Sequence, residues 1–282
     1  MQASNAIREE REFKFTDQDF QAIAEKVRRI AGLNLPESKR SLVYSRLAKR
    51  IRKLKLGSFA EYVQLLDNDI AGDEQSFLIT SLTTNVTAFF RENHHFEHLS
   101  GHVLPELAKR AKAGERIRFW SSACSSGEEP FSIALCLAGA LPEFAGLDVK
   151  ILATDIDENT IARAKRAAYP IDVMKNIPTS AQKHLVIDKE NETVQLSNEV
   201  RSLVTFGQLN LFDEWPFRGQ FDVIFCRNVA IYFDKETQAR LWKKLADRLV
   251  SGGQIYIGHS ERISGPAASI LETNGVTQYR KR

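Results

Sequence analysis

The sequence predicts an α/β protein in two parts: an all-helical N-terminal domain, residues 1–80, and a doubly wound α/β domain, residues 81–282, interrupted by a small antiparallel β insertion at about 171–206. Three observations predict it. Residues 15–80 carry apolar positions only at helical spacing. From about residue 115, short apolar runs suited to a buried parallel sheet alternate with helical stretches. Residues 171–206 break that alternation with polar sequence and period-two segments.

In the first part, Phe20, Ile23, Val27 and Ile30 recur on one helical face behind a Thr16–Asp17 cap, and the stretch 32–36, with a glycine and a proline, ends that helix. A second helix over 38–54 places Val43, Leu47, Ile51 and Leu54 on its buried face. Arg46, Lys49, Arg50 and Lys53 then share a separate, basic face. Helices over 58–66 and 74–81 follow, parted by a polar turn at 67–73. In the second part, strands are predicted at 117–121, 150–154, 221–225 and 254–258, with helices near 129–140, 157–167 and 235–250. The insertion contains alternating segments at 193–196 and 202–206.

The 282 residues suffice for two ordinary domains, and 43% hydrophobic with 27% charged residues is the balance of a water-soluble globular chain. No apolar run approaches the roughly 18 residues of a membrane span, and the polar first ten residues lack a signal-peptide core, so cytoplasmic residence without membrane insertion is expected. Cys124, Cys136 and Cys226 have no C-x-x-C spacing, which argues against a disulfide framework or a zinc site. His94, His98 and His102 have the i, i+4, i+8 spacing of a metal face, but no carboxylate or cysteine completes it, so no metal is expected. A net charge of +3 is small, yet eight basic residues and no acidic one lie between Lys39 and Lys55. That asymmetry points to an acidic partner. With only Tyr44 among the cations there is no aromatic row for base stacking, so a nucleic acid is not expected.

Ligands of an open α/β sheet bind beyond the carboxyl ends of its strands, and four polar clusters fall there. After the first strand, residues 121–129 have one glycine where a dinucleotide fingerprint has three, and Glu128 and Glu129 where a pyrophosphate would sit. Two carboxylates there repel phosphate and suit a cationic cofactor without one, such as S-adenosylmethionine (SAM). Asp155 ends the second strand, where an acidic residue accepts bonds from ribose hydroxyls. Asn210 beside Leu211 could address an adenine edge and face. Arg227 and Asn228 end a buried strand with strong hydrogen-bonding groups that need partners.

These clusters, in this order and with the segment 83–96, resemble the chemotaxis-receptor glutamate methyltransferases, the CheR family. The family pattern T-N-x-T-x-F-F-R, S-x-G-E-E-P-[YF]-S, D-I-D, F-C-R-N-V-x-I-Y-F and G-H-S-E is met at residues 85–91, 125–132, 155–157, 225–233 and 258–261. The resemblance spans nearly the whole chain and implies a SAM-dependent methyltransferase (Rossmann-like) domain. It implies SAM contacts from Asn85, Thr87 and Arg91, and from Glu129, Asp155, Asn210, Leu211, Asn228 and Val229. It further implies methyl transfer to receptor glutamates, forming 5-O-methyl esters. Relatives that dock on a receptor's C-terminal tether carry a glycine-rich loop in the insertion. Residues 184–193 hold no glycine, so tether docking is not expected.

A glutamate is already ionised at neutral pH and needs no general base, so catalysis should rest on alignment and water exclusion. Arg91 is the candidate to orient the incoming carboxylate, and Tyr232 to position it from across the pocket. Arg46, Lys49, Arg50 and Lys53 are the candidate contacts to the acidic methylation helices of a receptor's cytoplasmic domain. The enzyme is expected to be a monomer. The alternative is a non-catalytic SAM-binding regulator or scaffold of a signalling complex.

Overall fold

The computed structural model describes residues 12–282; the expectation about the first ten residues lies outside that span. The chain forms two units, one ending at Thr84 and the other Asn85–Arg282.

Among the described residues the first unit holds four α-helices and a 3-10 turn (Glu37–Lys39). Helix α1 (Asp17–Ala31) starts in a capping box: Thr16 Oγ1 accepts from the Asp19 N–H at 3.1 Å, and the Asp19 carboxylate accepts from the Thr16 N–H at 2.8 Å. It stops at Gly32, whose φ of 68° is the left-handed C-cap that glycine adopts without strain. Helix α2 (Arg40–Lys53) buries Val43, Leu47 and Ile51 as its periodicity requires. Helices α3 (Phe59–Asp67) and α4 (Asp73–Leu82) complete the unit, α3 capped by Ser58 on the Glu61 N–H.

The second unit opens with α5 (His94–His98), a π-helical turn (Leu99–Val103) and α6 (Leu104–Lys112). Then follow β1 (Ile117–Ser121), α7 (Glu128–Ala140), β2 (Val149–Asp155), α8 (Glu158–Arg166) and β3 (Ala168–Pro170). The chain continues through β4 (Leu185–Asp188), β5 (Thr193–Leu196), α9 (Asn198–Ser202), β6 (Val204–Gln208) and β7 (Phe221–Cys226). It ends with α10 (Lys235–Asp247), β8 (Leu249–Ile257), β9 (Leu271–Gly275) and β10 (Gln278–Lys281). The main sheet has the order β6-β2-β1-β7-β8-β10-β9. Strands β6, β2, β1, β7 and β8 are parallel, and β10 runs antiparallel to both β8 and β9. The chain leaves β1 towards β2 on one side and returns as β7 on the other, so the switch point of the doubly wound sheet lies between β1 and β7.

The insertion is smaller than the sequence suggests. Its sheet is β3-β5-β4, whereas residues 204–206, read above as part of it, belong to the edge strand β6, parallel to β2 with Ile151 opposite Val204. An edge strand is covered on one side only, so its alternation of apolar and polar residues imitates an antiparallel strand. The β9–β10 hairpin escaped the pattern because, apart from Leu271 and Gln278, its residues are exposed or half-buried and carry no apolar run.

Candidate functional site

The turn after β1 is closed by its own backbone. The N–H groups of Ser122, Cys124 and Gly127 bond Phe225 O (2.9 Å), Thr154 O (2.8 Å) and Cys124 O (3.0 Å), and that of Ser125 bonds Asp155 Oδ2 at 2.8 Å. Four of the turn's own N–H donors are therefore spent within the protein. Gly127 has a φ of 98°, and a Cβ there would meet Ala164 Cβ and the Tyr169 hydroxyl at 2.9 Å, which excludes any other residue.

Beneath the turn lies an anionic floor. Glu129 is buried, accepting from the Ser121 hydroxyl at 2.7 Å and from Arg227 Nη1 at 3.0 Å. Burial outweighs the Arg227 charge and pushes its carboxyl above the usual range. Asp155 accepts from the Ser125 N–H and, at 3.0 Å, from the Asp157 N–H, and burial pushes its carboxyl up as well. The Ile156 N–H joins them, and a carboxylate has about four acceptor positions, so room remains for a hydroxyl donor. The Leu209 N–H bonds Asp155 O at 2.9 Å, which sets Asn210 and Leu211 immediately beyond Asp155. Asn210 Oδ1 accepts from the Phe212 N–H at 3.1 Å, so that oxygen shapes the local turn.

Residues 85–92 are held against this turn. Asn85 O accepts from the Ser125 hydroxyl at 2.9 Å, while Asn85 Nδ2 donates to Asp157 Oδ2 (3.1 Å) and Thr160 Oγ1 (3.2 Å). Half-buried Thr87 lies in the same segment. The Phe90 N–H bonds Ser132 Oγ at 2.9 Å, Arg227 donates to Arg91 O, and Arg91 Nη1 donates to Val86 O at 2.7 Å. Phe90 and Glu92 take positive φ values of 52° and 56°, and Ser125 (48°) and Asn228 (58°) do the same opposite them. Such backbone costs of order 1–3 kcal/mol per residue and persists where surrounding bonds over-determine it.

At Asn228 those bonds come from Glu261. Its buried carboxylate accepts N–H groups of Gly258 (2.6 Å), Asn228 (3.0 Å), Val229 (3.0 Å), Ala230 (2.7 Å) and Ile231 (3.3 Å). A Cβ on Gly258 would lie 2.6 Å from Asn228 Nδ2, so glycine is required there too. Asn228 Nδ2 donates to Glu92 Oε1 at 3.2 Å, and Glu92 Oε2 lies 3.5 Å from Arg227. Burial acts to raise the Glu92 carboxyl, but Arg227, His259 and Asn228 together carry it below its usual range. Tyr232 is half-buried in the 3-10 turn Ala230–Tyr232 that follows.

The structure thus brings Asn85, Thr87, Arg91, Glu129, Asp155, Asn210, Leu211, Asn228 and Val229 to the strand ends around the switch point. An anionic floor, a turn closed largely by its own backbone bonds and close-approach glycines fit a cationic, phosphate-free cofactor such as SAM. Sequence reasoning passed over two members. Glu92 follows the T-x-F-F-R run and Glu261 ends the G-H-S-E run, and those runs are the only signal either residue gives.

The basic face of α2 divides. Arg46 donates to Ser81 O (2.6 Å) and Thr83 O (2.7 Å), closing the end of α4. Arg50 pairs with buried Glu74 through two donors, stacks 4.1 Å over the Phe77 ring, and shares Glu74 with the Tyr62 hydroxyl at 2.8 Å. These two arginines are corrected from partner contacts to internal ties, because each charge is already met inside the unit. Lys49 and Lys53 are exposed. The His94, His98, His102 series also splits: His98 Nδ1 lies 2.9 Å from the Tyr256 hydroxyl, and His102 is exposed.

Known proteins match the sequence along the chain. Residues 85–279 match the family described as "CheR methyltransferase, SAM binding domain", and residues 18–83 its companion, "CheR methyltransferase, all-alpha domain". A "Probable chemotaxis protein methyltransferase" of Rhizobium etli is 48% identical over 89% of this chain and 94% of its own length. "Chemotaxis protein methyltransferase 2" of Pseudomonas aeruginosa is 42% identical over 95% of this chain and 94% of its own. The Escherichia coli "Chemotaxis protein methyltransferase" is 39% identical over 88% and 86%. With both of its units matched and relatives this similar over nearly their full length, the chain belongs to the CheR family of SAM-dependent methyltransferases.

Proposed function

We propose that the protein esterifies glutamate side chains of chemoreceptors, forming glutamate 5-O-methyl esters. The observation that carries the reading is the chain-long likeness to chemotaxis protein methyltransferases, on a cradle floored by carboxylates. When bound, SAM supplies an electrophilic methyl group on a sulfonium cation. Asp155 holds hydroxyl donors, Glu129 and the Asn228–Val229 corner hold the cationic portion, and Asn210 with Leu211 frames the base. Arg91 draws the ionised substrate carboxylate into the site, and Tyr232 fixes it from the opposite wall. No proton must be removed from the nucleophile, so these residues orient groups and exclude water rather than relay protons. Lys49 and Lys53 meet the acidic surface of the receptor helix.

Incubation with methyl-labelled SAM and receptor-containing membranes should place label in the receptor band and release it as methanol in base. Label that resists base, or that enters RNA or amines, overturns the proposal.

A further inference from the structure

Beside the cradle, the side chains of Glu92, His94 and His95 bring ligating atoms together. Glu92 Oε2, His94 Nε2 and His95 Nδ1 are buried and have no hydrogen-bond partner among the described residues. One ligating atom from each of these residues lies within 4.8 Å of the others, and Glu92 Oε2 is 3.7 Å from His95 Nδ1. His95 is 0% exposed, so solvent does not reach its ring.

The bonding around His95 fixes its tautomer. Its Nε2 lies 2.8 Å from Thr277 Oγ1, and that hydroxyl gives its own proton to Val276 O at 2.7 Å. Thr277 is therefore the acceptor, His95 Nε2 carries the proton, and Nδ1 presents a bare lone pair. An ionised carboxylate then faces an imidazole lone pair across 3.7 Å. A cation between them turns that repulsion into binding.

Local charge allows it, because Glu92 and Glu129 set two negative charges against the one positive charge of Arg227. Two imidazole nitrogens and one carboxylate oxygen are the donors of a zinc-class ion, unlike the all-oxygen shells of calcium or magnesium. An imidazole ligand whose other nitrogen donates to an oxygen is the usual outer-shell arrangement, and Thr277 provides it. Zinc–nitrogen bonds of roughly 2.0–2.1 Å place tetrahedral ligand atoms roughly 3.3 Å apart, so small side-chain rotations would close the site around an ion and one water.

We propose that Glu92, His94 and His95 form a binding site for a divalent transition-metal ion of the zinc class. The untagged, metal-free chain should be titrated with Co²⁺, followed by visible absorption, and with Zn²⁺ by equilibrium dialysis. The expected result is one ion per chain with a tetrahedral cobalt spectrum, and a Tm raised by Zn²⁺. Affinity should fall at least about tenfold in His94→Ala and in Glu92→Gln, since even an outer-shell loss costs that much. It should hold in His102→Ala, which alters an exposed histidine outside the cluster. Either of the first two variants, if folded by circular dichroism, suffices for the test. A wild-type chain that binds no more ion than a folded variant means that the three atoms are merely hydrated, and the proposal falls.

Discussion

Arg91 and Glu261 act on the same pocket by different physics, and their variants should separate. Arg91 touches the cradle through its backbone carbonyl, which Arg227 holds, while its guanidinium donates to Val86 O. Arg91→Ala should lower kcat/KM for the receptor by roughly 10²-fold, or about 2.7 kcal/mol of orientation. Methylation at the wild-type rate would remove Arg91 from the mechanism. Glu261 contacts no substrate; it is a positioning residue. Glu261→Gln turns an amide donor towards backbone N–H groups and leaves some of them unpaired, at about 1–3 kcal/mol each. It should lower Tm and raise the KM for SAM more than the KM for the receptor; equal effects on both would contradict the positioning role. Glu129, Asp155, Asn210 and Asn228 could be read from sequence because strand ends mark where ligands bind. Glu92 and Glu261 could not, since they act through the cradle's backbone and neighbouring polar groups at left-handed residues that spacing does not reveal.

Among the elements, α2 shows how a charged face misleads. Spacing put Arg46, Lys49, Arg50 and Lys53 side by side, but arginine reaches carbonyls and carboxylates within its own unit more readily than lysine, and both arginines do so. Reversing Lys49 and Lys53 to Glu should raise the receptor KM and reduce its salt sensitivity while Tm holds. Arg50→Glu should instead destabilise the helical unit by roughly 3 kcal/mol, because it strands Glu74. If thermal unfolding shows the reverse pattern, the assignment of inward and outward cations is wrong. Strand β6 gives the complementary lesson. Four parallel strands were readable as continuous apolar runs, whereas the half-covered edge strand carried the signature of another sheet. Helical spacing lines up His94, His98 and His102, whereas the ligating atoms that lie together belong to Glu92, His94 and His95.

For the whole molecule, acid should be felt early. His95 stays neutral in the folded state down to about pH 3, whereas in the unfolded chain it takes a proton below about 6.5. The unfolded state then binds more protons, so this stabilisation is complete above 6.5 and is lost as pH falls towards 3, at up to about 1.4 kcal/mol per pH unit. Buried Glu129, Asp155 and Glu261 have raised carboxyls and contribute with the opposite sign, losing stability as pH rises through their folded values. Comparison with His95→Gln isolates the histidine: wild-type Tm should drop more steeply from pH 7 to 5 than the variant's. Parallel profiles would disprove the assignment.

The carboxylate of Glu261 also sets a schedule. The corner that it fastens follows β7, yet the fastener itself follows β8, so a nascent chain displays the corner before it owns the means to hold it. Until residue 261 has left the ribosome, the Asn228 backbone has no reason to stay left-handed and the pocket has no fixed wall. The cofactor therefore cannot template the early folding of this domain. The pocket gains its fixed wall only once the residues up to Glu261 have been made.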